Sequence, residues 1–221
     1  NLKIILAVFL WWKLLQLQTA ALAHNFLPFK PTYPYYYDVI SPNKLTEVIT
    51  HFAGFDGVHY IRLARDGYVT EFTQAFFPLY PMLIKILSPL FFNNLILTAL
   101  IISNISFLSL VFLFYRLVEK IKGEKVALWS SIFLIMFPTS FYFAGVYTES
   151  TFLLFVLLSF FFLENDKKLL ASVFGMFASA TRLVGLLLLP AQLLKKNYFS
   201  ILVIPLGIGA YMLFLKITIN Q

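Results

Sequence analysis

The sequence contains no cysteine and little charge. Of its 221 residues, 12% are Asp, Glu, Lys or Arg, and three are His. Without cysteine there are no disulfides and no thiolate metal ligands, and His24, His51 and His59 are too scattered to predict a metal cluster by themselves. Soluble proteins carry charge on about a quarter of their residues. The shortage of charge therefore excludes an ordinary soluble domain.

Apolar and aromatic residues take the place of the missing charge. Hydrophobic residues make up 60% of the chain, which includes 26 Phe and 12 Tyr. This composition predicts an integral membrane protein with abundant aromatic anchors for the lipid interfaces. The net charge of +7 lies mostly in short joints between apolar runs, where it sets orientation. No nucleic-acid binding is predicted.

Long apolar runs predict the membrane-crossing helices, because about 20 apolar residues span the hydrocarbon core. Residues 2–23 form the first run, with a cleavable signal peptide as the alternative because their end resembles a cleavage region. The chain starts and stops beside apolar runs, and from this we expect a fragment of a longer protein. Further single crossings are predicted at residues 95–115, 126–146, 151–163 and 198–217.

Three basic joints predict the direction of the crossings, since positive joints lie on the cytoplasmic side. They occupy residues 116–125, 164–168 and 195–196. With the N-terminus in the cytoplasm, all three lie inside only if residues 169–194 cross the membrane twice. This parity predicts a hairpin within residues 169–194.

The hairpin is predicted to reverse at Thr181 and Arg182, between short helices at residues 169–180 and 183–194. A reversal there keeps Arg182 away from the bilayer centre, where a charge on a single long helix is costly. The predicted fold is thus an all-α membrane bundle with seven crossings in one domain, residues 1–221. Arg182 lies at the outer, noncytoplasmic tip of the hairpin.

Residues 24–94 are predicted to form a noncytoplasmic loop with juxtamembrane helices. Its first part, 25–40, is rich in Pro and Tyr and suits an interfacial loop. Three short surface helices are then predicted. The first covers residues 42–53 after a cap at Ser41 and Pro42, the second covers 56–66 and closes at Gly67, and the third covers 76–90.

Asp56, His59 and Tyr60 share one face of the predicted helix at 56–66, because positions three and four apart are neighbours. Arg62, Arg65 and Asp66 fall on another side. A carboxylate at Asp56 suits a general base, and its alternative is an ordinary helix N-cap. For His59 the alternative is a packing role.

Three more candidates reach the outer face from two other segments. Tyr147 and Glu149 lie in a turn between crossings, where the alternative for Glu149 is simple solubility. Arg182 has apolar neighbours, and ionisable residues within membrane segments are functional candidates by default. Its alternative is snorkelling to lipid headgroups.

Several motifs resemble the signature of the PIG-V mannosyltransferase family and its bacterial relatives, which are membrane glycosyltransferases of the GT-C type. Residues 55–60 read Phe-Asp-Gly-Val-His-Tyr, and residues 75–81 read Ala-Phe-Phe-Pro-Leu-Tyr-Pro. The resemblance continues in the same order through residues 137–140, 147–150 and 178–182. It departs at Phe55, where eukaryotic members commonly carry Trp, and it lacks their C-terminal portion, which leaves the acceptor undefined.

The resemblance implies a GT-C-like bundle that uses a polyprenyl-phosphate sugar on the noncytoplasmic face, with Asp56 as the catalytic carboxylate. Arg182 would hold the donor phosphate by bidentate hydrogen bonds. A single general base predicts inversion at the anomeric carbon. His59, Tyr60, Tyr147 and Glu149 complete the expected substrate-binding set.

The expected partners are the lipid-borne donor, membrane lipids and a glycan or lipid acceptor. The membrane would be the plasma membrane in a bacterium and the endoplasmic reticulum in a eukaryote. No cofactor is required by these residues, although Asp56 and Glu149 together could bind a divalent metal.

A transporter or lipid flippase is the alternative function. The apolar composition and an intramembrane arginine fit either class. Helices broken at the bilayer midplane would favour transport, whereas polar residues gathered at one membrane face beside surface helices favour chemistry on a lipid-borne substrate.

The predicted topology can be tested with single cysteines at Gly67, Lys122 and Lys195, because the chain has no native cysteine. We expect an impermeant thiol reagent added outside to label position 67 and to miss positions 122 and 195. Outside labelling of position 195 without labelling of position 122 would show that the hairpin at Arg182 is wrong.

Overall fold

The computed structural model describes residues 1–28, 30–43, 45–69 and 73–219. Over these ranges the chain forms helices, turns and loops without a β-strand, as expected for an all-α protein. The α-helices are α1 (Leu2–Phe26), α2 (Glu47–Thr50), α3 (Asp56–Asp66), α4 (Leu79–Leu87), α5 (Leu95–Lys122), α6 (Glu124–Met136), α7 (Glu149–Glu164), α8 (Lys168–Thr181), α9 (Leu188–Leu194) and α10 (Phe199–Ile219).

Among the described residues, three helices are long and apolar enough to cross a membrane. They are α1, α5 and most of α10, each at least 19 residues long. Three shorter apolar helical stretches, Leu79–Phe91, Lys168–Thr181 and Leu183–Leu194, fall below that length. The structure thus has the spans of a membrane protein, and the count of seven crossings stays a prediction.

The reversal predicted at Arg182 is present. Helix α8 ends at Thr181, Arg182 is extended with φ −152° and ψ 141°, and a 3-10 turn (Leu183–Leu187) leads into α9. Gly185 lies against the backbone of Ala178 and Ser179, where a Cβ would collide. The glycine therefore lets the returning arm approach α8 directly.

A buried polar network holds the hairpin to α7. The Gln192 amide nitrogen donates to Ser159 Oγ at 2.7 Å and to the Ala171 carbonyl at 3.0 Å. Its amide oxygen accepts from Asn197 at 2.6 Å and from Ser172 at 3.2 Å. Buried amides need such partners because leaving them unpaired is costly. Gln192 thereby connects α9 to both neighbouring helices.

Helix α5 organises the other half of the molecule. One apolar cluster packs α3 and α4 against its first half, and a second packs α1 and α6 against its second half. Tyr80 of α4 is fully buried, and its hydroxyl lies 2.7 Å from Ser103 Oγ and donates to the Ala99 carbonyl. These contacts hold the surface helices against a long apolar helix.

The helix predicted at residues 42–53 is shorter than expected, and its predicted cap is wrong. Ser41 ends a π-helical turn (Tyr36–Ile40), and α-helix begins only at Glu47. The left-handed Tyr35, with φ 65°, reverses the chain before this turn. Arg65 then holds the turn through the Asp38 carboxylate at 2.8 Å and its carbonyl at 3.0 Å. Tertiary contacts therefore override the local capping preference.

The run at residues 126–146 is also interrupted. Helix α6 ends at Met136 because Pro138 disfavours helical dihedrals at Phe137, whose ψ is 138°. A 3-10 turn (Ser140–Phe143) follows, and residues 144–148 are irregular. Irregular backbone at membrane depth is tolerated where it is buried in protein or lines a cavity.

Gln192→Leu should destabilise the protein, since it leaves buried partners such as Asn197 Nδ2 and Ser159 Oγ with fewer hydrogen bonds. Each unsatisfied group costs ~1–3 kcal/mol. We expect a lower midpoint of thermal unfolding in detergent than for the wild type. The control Gln18→Leu changes an exposed glutamine of α1 and should leave the midpoint unchanged. Equal midpoints for both variants would contradict the structural role of the network.

Candidate active site

Asp56 is the first residue of α3 and is exposed to solvent. The N-cap is Phe55, and no side chain caps the helix. The N-cap alternative for Asp56 is therefore wrong, because its carboxylate does not serve the first turn. Phe55 has φ 52° and ψ −120°, which is unusual for a residue with a side chain. Such strained conformations cluster at functional sites.

The first turn of α3 rests on an irregular segment, residues 144–148, that we call the outer loop after its predicted position. A Cβ on Gly57 would lie 3.2 Å from both Cβ and the carbonyl oxygen of Val146. The Val146 amide donates to the Phe52 carbonyl at 2.8 Å. A Cβ on Gly145 would lie 2.9 Å from that same carbonyl. Two glycines therefore allow the close contact that places Asp56 beside the outer loop.

Two tyrosine hydroxyls lie at this contact. Tyr147 donates to the Gly54 carbonyl at 3.3 Å, and the Tyr60 hydroxyl lies 3.5 Å from Thr148 Oγ1 in a buried position. Burial raises the pKa of Tyr147, and the Asp56 carboxylate raises it further. Burial also raises the pKa of Tyr60, against a smaller lowering by its hydrogen bond to Thr148. Both side chains are therefore neutral phenols at physiological pH.

The same two carboxylates shift the pKa of both phenols. Asp56 and Glu149 both raise the pKa of Tyr147 and of Tyr60. Arg182 lowers the pKa of Tyr60. The contact between α3 and the outer loop thus gathers one exposed carboxylate and one carboxylate–guanidinium pair around two hydroxyls.

Arg182 and Glu149 form that pair. Arg182 Nη2 donates to Glu149 Oε1 at 3.0 Å, and the guanidinium lies 6.0 Å from the Phe152 ring. Glu149 begins α7, where the helix dipole favours a negative charge. Its second oxygen, Oε2, is buried without a hydrogen-bond partner. The Arg182 side chain stays 41% exposed, and the pair uses one of the five N–H donors of a guanidinium.

His59 is next to Tyr60 in the chain, and the rings of both residues pack on Phe76. The His59 ring stacks on Phe76 at 4.7 Å and meets Tyr35 edge-on. Burial lowers the pKa of His59, against a smaller opposite effect of Asp56. Arg62 lies over the same Tyr35 ring at 3.9 Å, so the predicted separation of His59 from Arg62 on different sides is wrong. The reason is that His59 and Arg62 are three positions apart on α3, and such positions are neighbours on one face of a helix.

Five of the six predicted site residues are brought together: Asp56, Tyr60, Tyr147, Glu149 and Arg182. Thr148 is not among the site residues predicted from the sequence. Its place in the chain between the predicted residues Tyr147 and Glu149, together with its hydroxyl, could have indicated it. Among the described residues, no group of three or more His, Cys, Asp or Glu side chains is arranged to hold a metal ion. A cation bound jointly by Asp56 and Glu149 would share Glu149 with the guanidinium.

Comparison with known proteins gives a family and one similar protein. The family model described as Mannosyltransferase (PIG-V) matches residues 2–206. The GPI mannosyltransferase 2 of Drosophila pseudoobscura pseudoobscura is 27% identical over 108 residues, which cover 44% of this chain and 24% of that protein. The chain thus spans about a quarter of the length of that relative. No solved structure matches the chain at a significant level.

Proposed function

The chain belongs to the PIG-V mannosyltransferase family, and from this membership and the geometry of the site we propose that it is a mannosyltransferase. It transfers mannose from a polyprenyl-phosphate donor to a glycan or lipid acceptor at the noncytoplasmic membrane face, with inversion. The observation that carries the proposal is the contact between α3, which begins with the exposed Asp56 carboxylate, and the outer loop, which leads into the Arg182–Glu149 pair.

Asp56 is proposed as the general base. A general base needs a carboxylate that can reach the acceptor hydroxyl, and Asp56 is exposed and makes no helix cap. It removes the acceptor proton while the acceptor oxygen attacks the anomeric carbon from the face opposite the phosphate. The bond to phosphate breaks as the new glycosidic bond forms, and the configuration inverts.

Arg182 is proposed to bind the donor phosphate. Its charge is permanent, and its planar donors match phosphate oxygens in pairs. Glu149 holds one end of the guanidinium at 3.0 Å and leaves the partly exposed side chain in place for an anion. The neutral phenols of Tyr60 and Tyr147 are suited to hydrogen-bond sugar hydroxyls without repelling the phosphate.

An apolar groove near Arg182 supports a lipid-borne donor. It has a volume of about 530 Å³ and lies between α4, α8 and α10. Phe177 and Ala180 of α8 line it shortly before Arg182 in the chain, and Met82, Leu206 and Phe214 line it from the other helices. An isoprenoid tail anchored at Arg182 would find an apolar surface here.

A transporter or lipid flippase is the second candidate. It is favoured by the interruption of the apolar stretch at Arg182, since broken helices at membrane depth are common at transport sites. Membranes containing the protein separate the two functions when they are incubated with labelled polyprenyl-phosphate mannose. Labelled product supports a transferase, and movement of intact donor across the membrane without product would overturn the proposal.

Asp56→Asn should abolish transfer while the protein stays folded and still binds donor. The amide keeps the shape of the side chain but cannot take a proton, and loss of a general base costs about a hundredfold to ten-thousandfold in rate. The control Asp66→Asn changes the last residue of the same helix and should keep activity within a few fold. Activity of Asp56→Asn near the wild-type level would remove Asp56 from the mechanism.

Arg182→Ala should weaken the apparent affinity for the donor more than that for the acceptor, because the phosphate loses its charged partner. Arg182→Lys keeps the charge without the planar donors and should restore only part of the function. Arg116→Ala, which removes an exposed arginine paired with Glu119, is the matched control. If the Arg182→Ala protein bound the donor as well as the wild type but failed to accumulate in the membrane, Arg182 would be a structural residue.

A further inference from the structure

A second cavity borders the outer loop, through Gly145 and Tyr147. It has a volume of about 550 Å³ and lies between α1, the turn before α3, and residues 141–147. One face of α1 lines it with Trp12, Gln16 and Thr19, spaced at helical intervals. The opposite wall includes Phe55 and Tyr147, which are also neighbours of the candidate site.

The wall of this cavity combines aromatic rings with a few polar side chains, among them Gln16 and Thr19. Aromatic side chains surround the opening, with Phe55 71% exposed, Phe141 49% exposed and Tyr142 38% exposed. A sugar ring presents an apolar C–H face that packs on aromatic rings, and hydroxyls at its rim that need polar partners. Sites for such ligands combine aromatic walls with a few placed polar groups.

One polar group in the cavity lacks a partner. Gln16 lies on α1, and its side-chain oxygen Oε1 is buried without a hydrogen bond. Leaving a buried acceptor unpaired is unfavourable unless a ligand satisfies it. Thr19, by contrast, already donates to the Leu15 carbonyl at 2.8 Å. A rotation of the Gln16 side chain that exposes this oxygen to the cavity would let it accept a hydrogen bond from a ligand hydroxyl.

Tyr147 joins the cavity to the candidate site. Its ring lines the cavity and meets Tyr142 edge-on at 5.1 Å, while its hydroxyl binds the Gly54 carbonyl two residues before Asp56. Glu149 follows two residues later and holds Arg182 at 3.0 Å. A hydroxyl-bearing molecule in the cavity would thus contact Phe55, next to Asp56 in the chain, and Tyr147, two residues before Glu149.

We propose that this cavity, lined by Trp12, Gln16, Phe55, Tyr142 and Tyr147, is the acceptor subsite and binds a sugar ring of the acceptor. The proposal rests on the proposed transferase function. It separates the two substrates, with the donor phosphate at Arg182, the acceptor sugar beside α1, and Asp56 between them.

Binding can be measured without transfer because Trp12 reports on the cavity. Its indole N–H donates to Ser140 Oγ at 2.8 Å, which holds the ring in the cavity wall. Replacing Trp11 and Trp129 by Phe leaves Trp12 as the tryptophan of the chain, since the sequence contains three. The protein in lipid nanodiscs is titrated with octyl α-mannoside, and n-octanol serves as the probe that carries the same tail without a sugar.

We expect a saturable change of Trp12 emission with octyl mannoside and none with octanol at the same concentration. Gln16→Leu should weaken mannoside binding about threefold to tenfold, because one hydrogen bond is lost. The control Gln18→Leu changes an exposed glutamine on the same helix and should bind like the parent. Ala20→Phe fills the cavity without adding a tryptophan and should abolish the response.

Three outcomes overturn the proposal: equal responses to octanol and mannoside, no response to either, or mannoside binding unaffected by both Gln16→Leu and Ala20→Phe. The first would make the cavity a lipid-tail site. Failure of the proposed function is distinguishable, because intact mannoside binding in a protein that forms no labelled product would disprove transfer and leave the cavity a sugar site.

Discussion

The contact between the outer loop and the first turn of α3 is the interaction on which the rest of the site depends. It is made by one backbone hydrogen bond, from the Val146 amide to the Phe52 carbonyl at 2.8 Å, and by glycines at positions 57 and 145 that leave room for the backbone. Any larger side chain at these glycines would push the two segments apart. Asp56 follows Phe52 in the chain, and Glu149 follows Val146. The contact therefore sets the separation of the two carboxylates.

The unfavourable free energy of burying a charge in an apolar protein explains the positions of Arg182 and Glu149. Arg182 lies at a chain reversal, where it keeps 41% of its side chain exposed and finds Glu149 at 3.0 Å. Breaking a partly buried pair leaves an uncompensated charge, so each partner restricts where the other can lie. The hairpin therefore does two things, since it brings the arginine to one end of α8 and fixes its guanidinium beside Glu149.

The end of α6 at Met136 affects both the backbone hydrogen bonds of the following residues and the space beside them. Pro138 ends α6, and the irregular backbone that follows must be satisfied inside the protein because lipid offers no hydrogen bonds. It is satisfied partly by α1, through Trp12 and Ser140, and partly by the turn before α3. The space that remains between these elements is the cavity assigned to the acceptor. A continuous helix over residues 126–146 would have filled it.

The sequence by itself determined the membrane class, the family resemblance, the limits of α3 and the reversal at Arg182, because these follow from local composition, capping glycine and the cost of a buried charge. It failed at Ser41 and Pro42, where Arg65 binds Asp38 and the tertiary contact outweighs a local cap. Only the tertiary structure decided that Glu149 pairs with Arg182 across 33 positions, that Phe55 rather than Asp56 occupies the N-cap position of α3, and that one face of α1 lines a cavity with Phe55 and Tyr147. The physical reason is that these features depend on which side chains meet between distant segments, and helical period and hydropathy carry no information about that meeting.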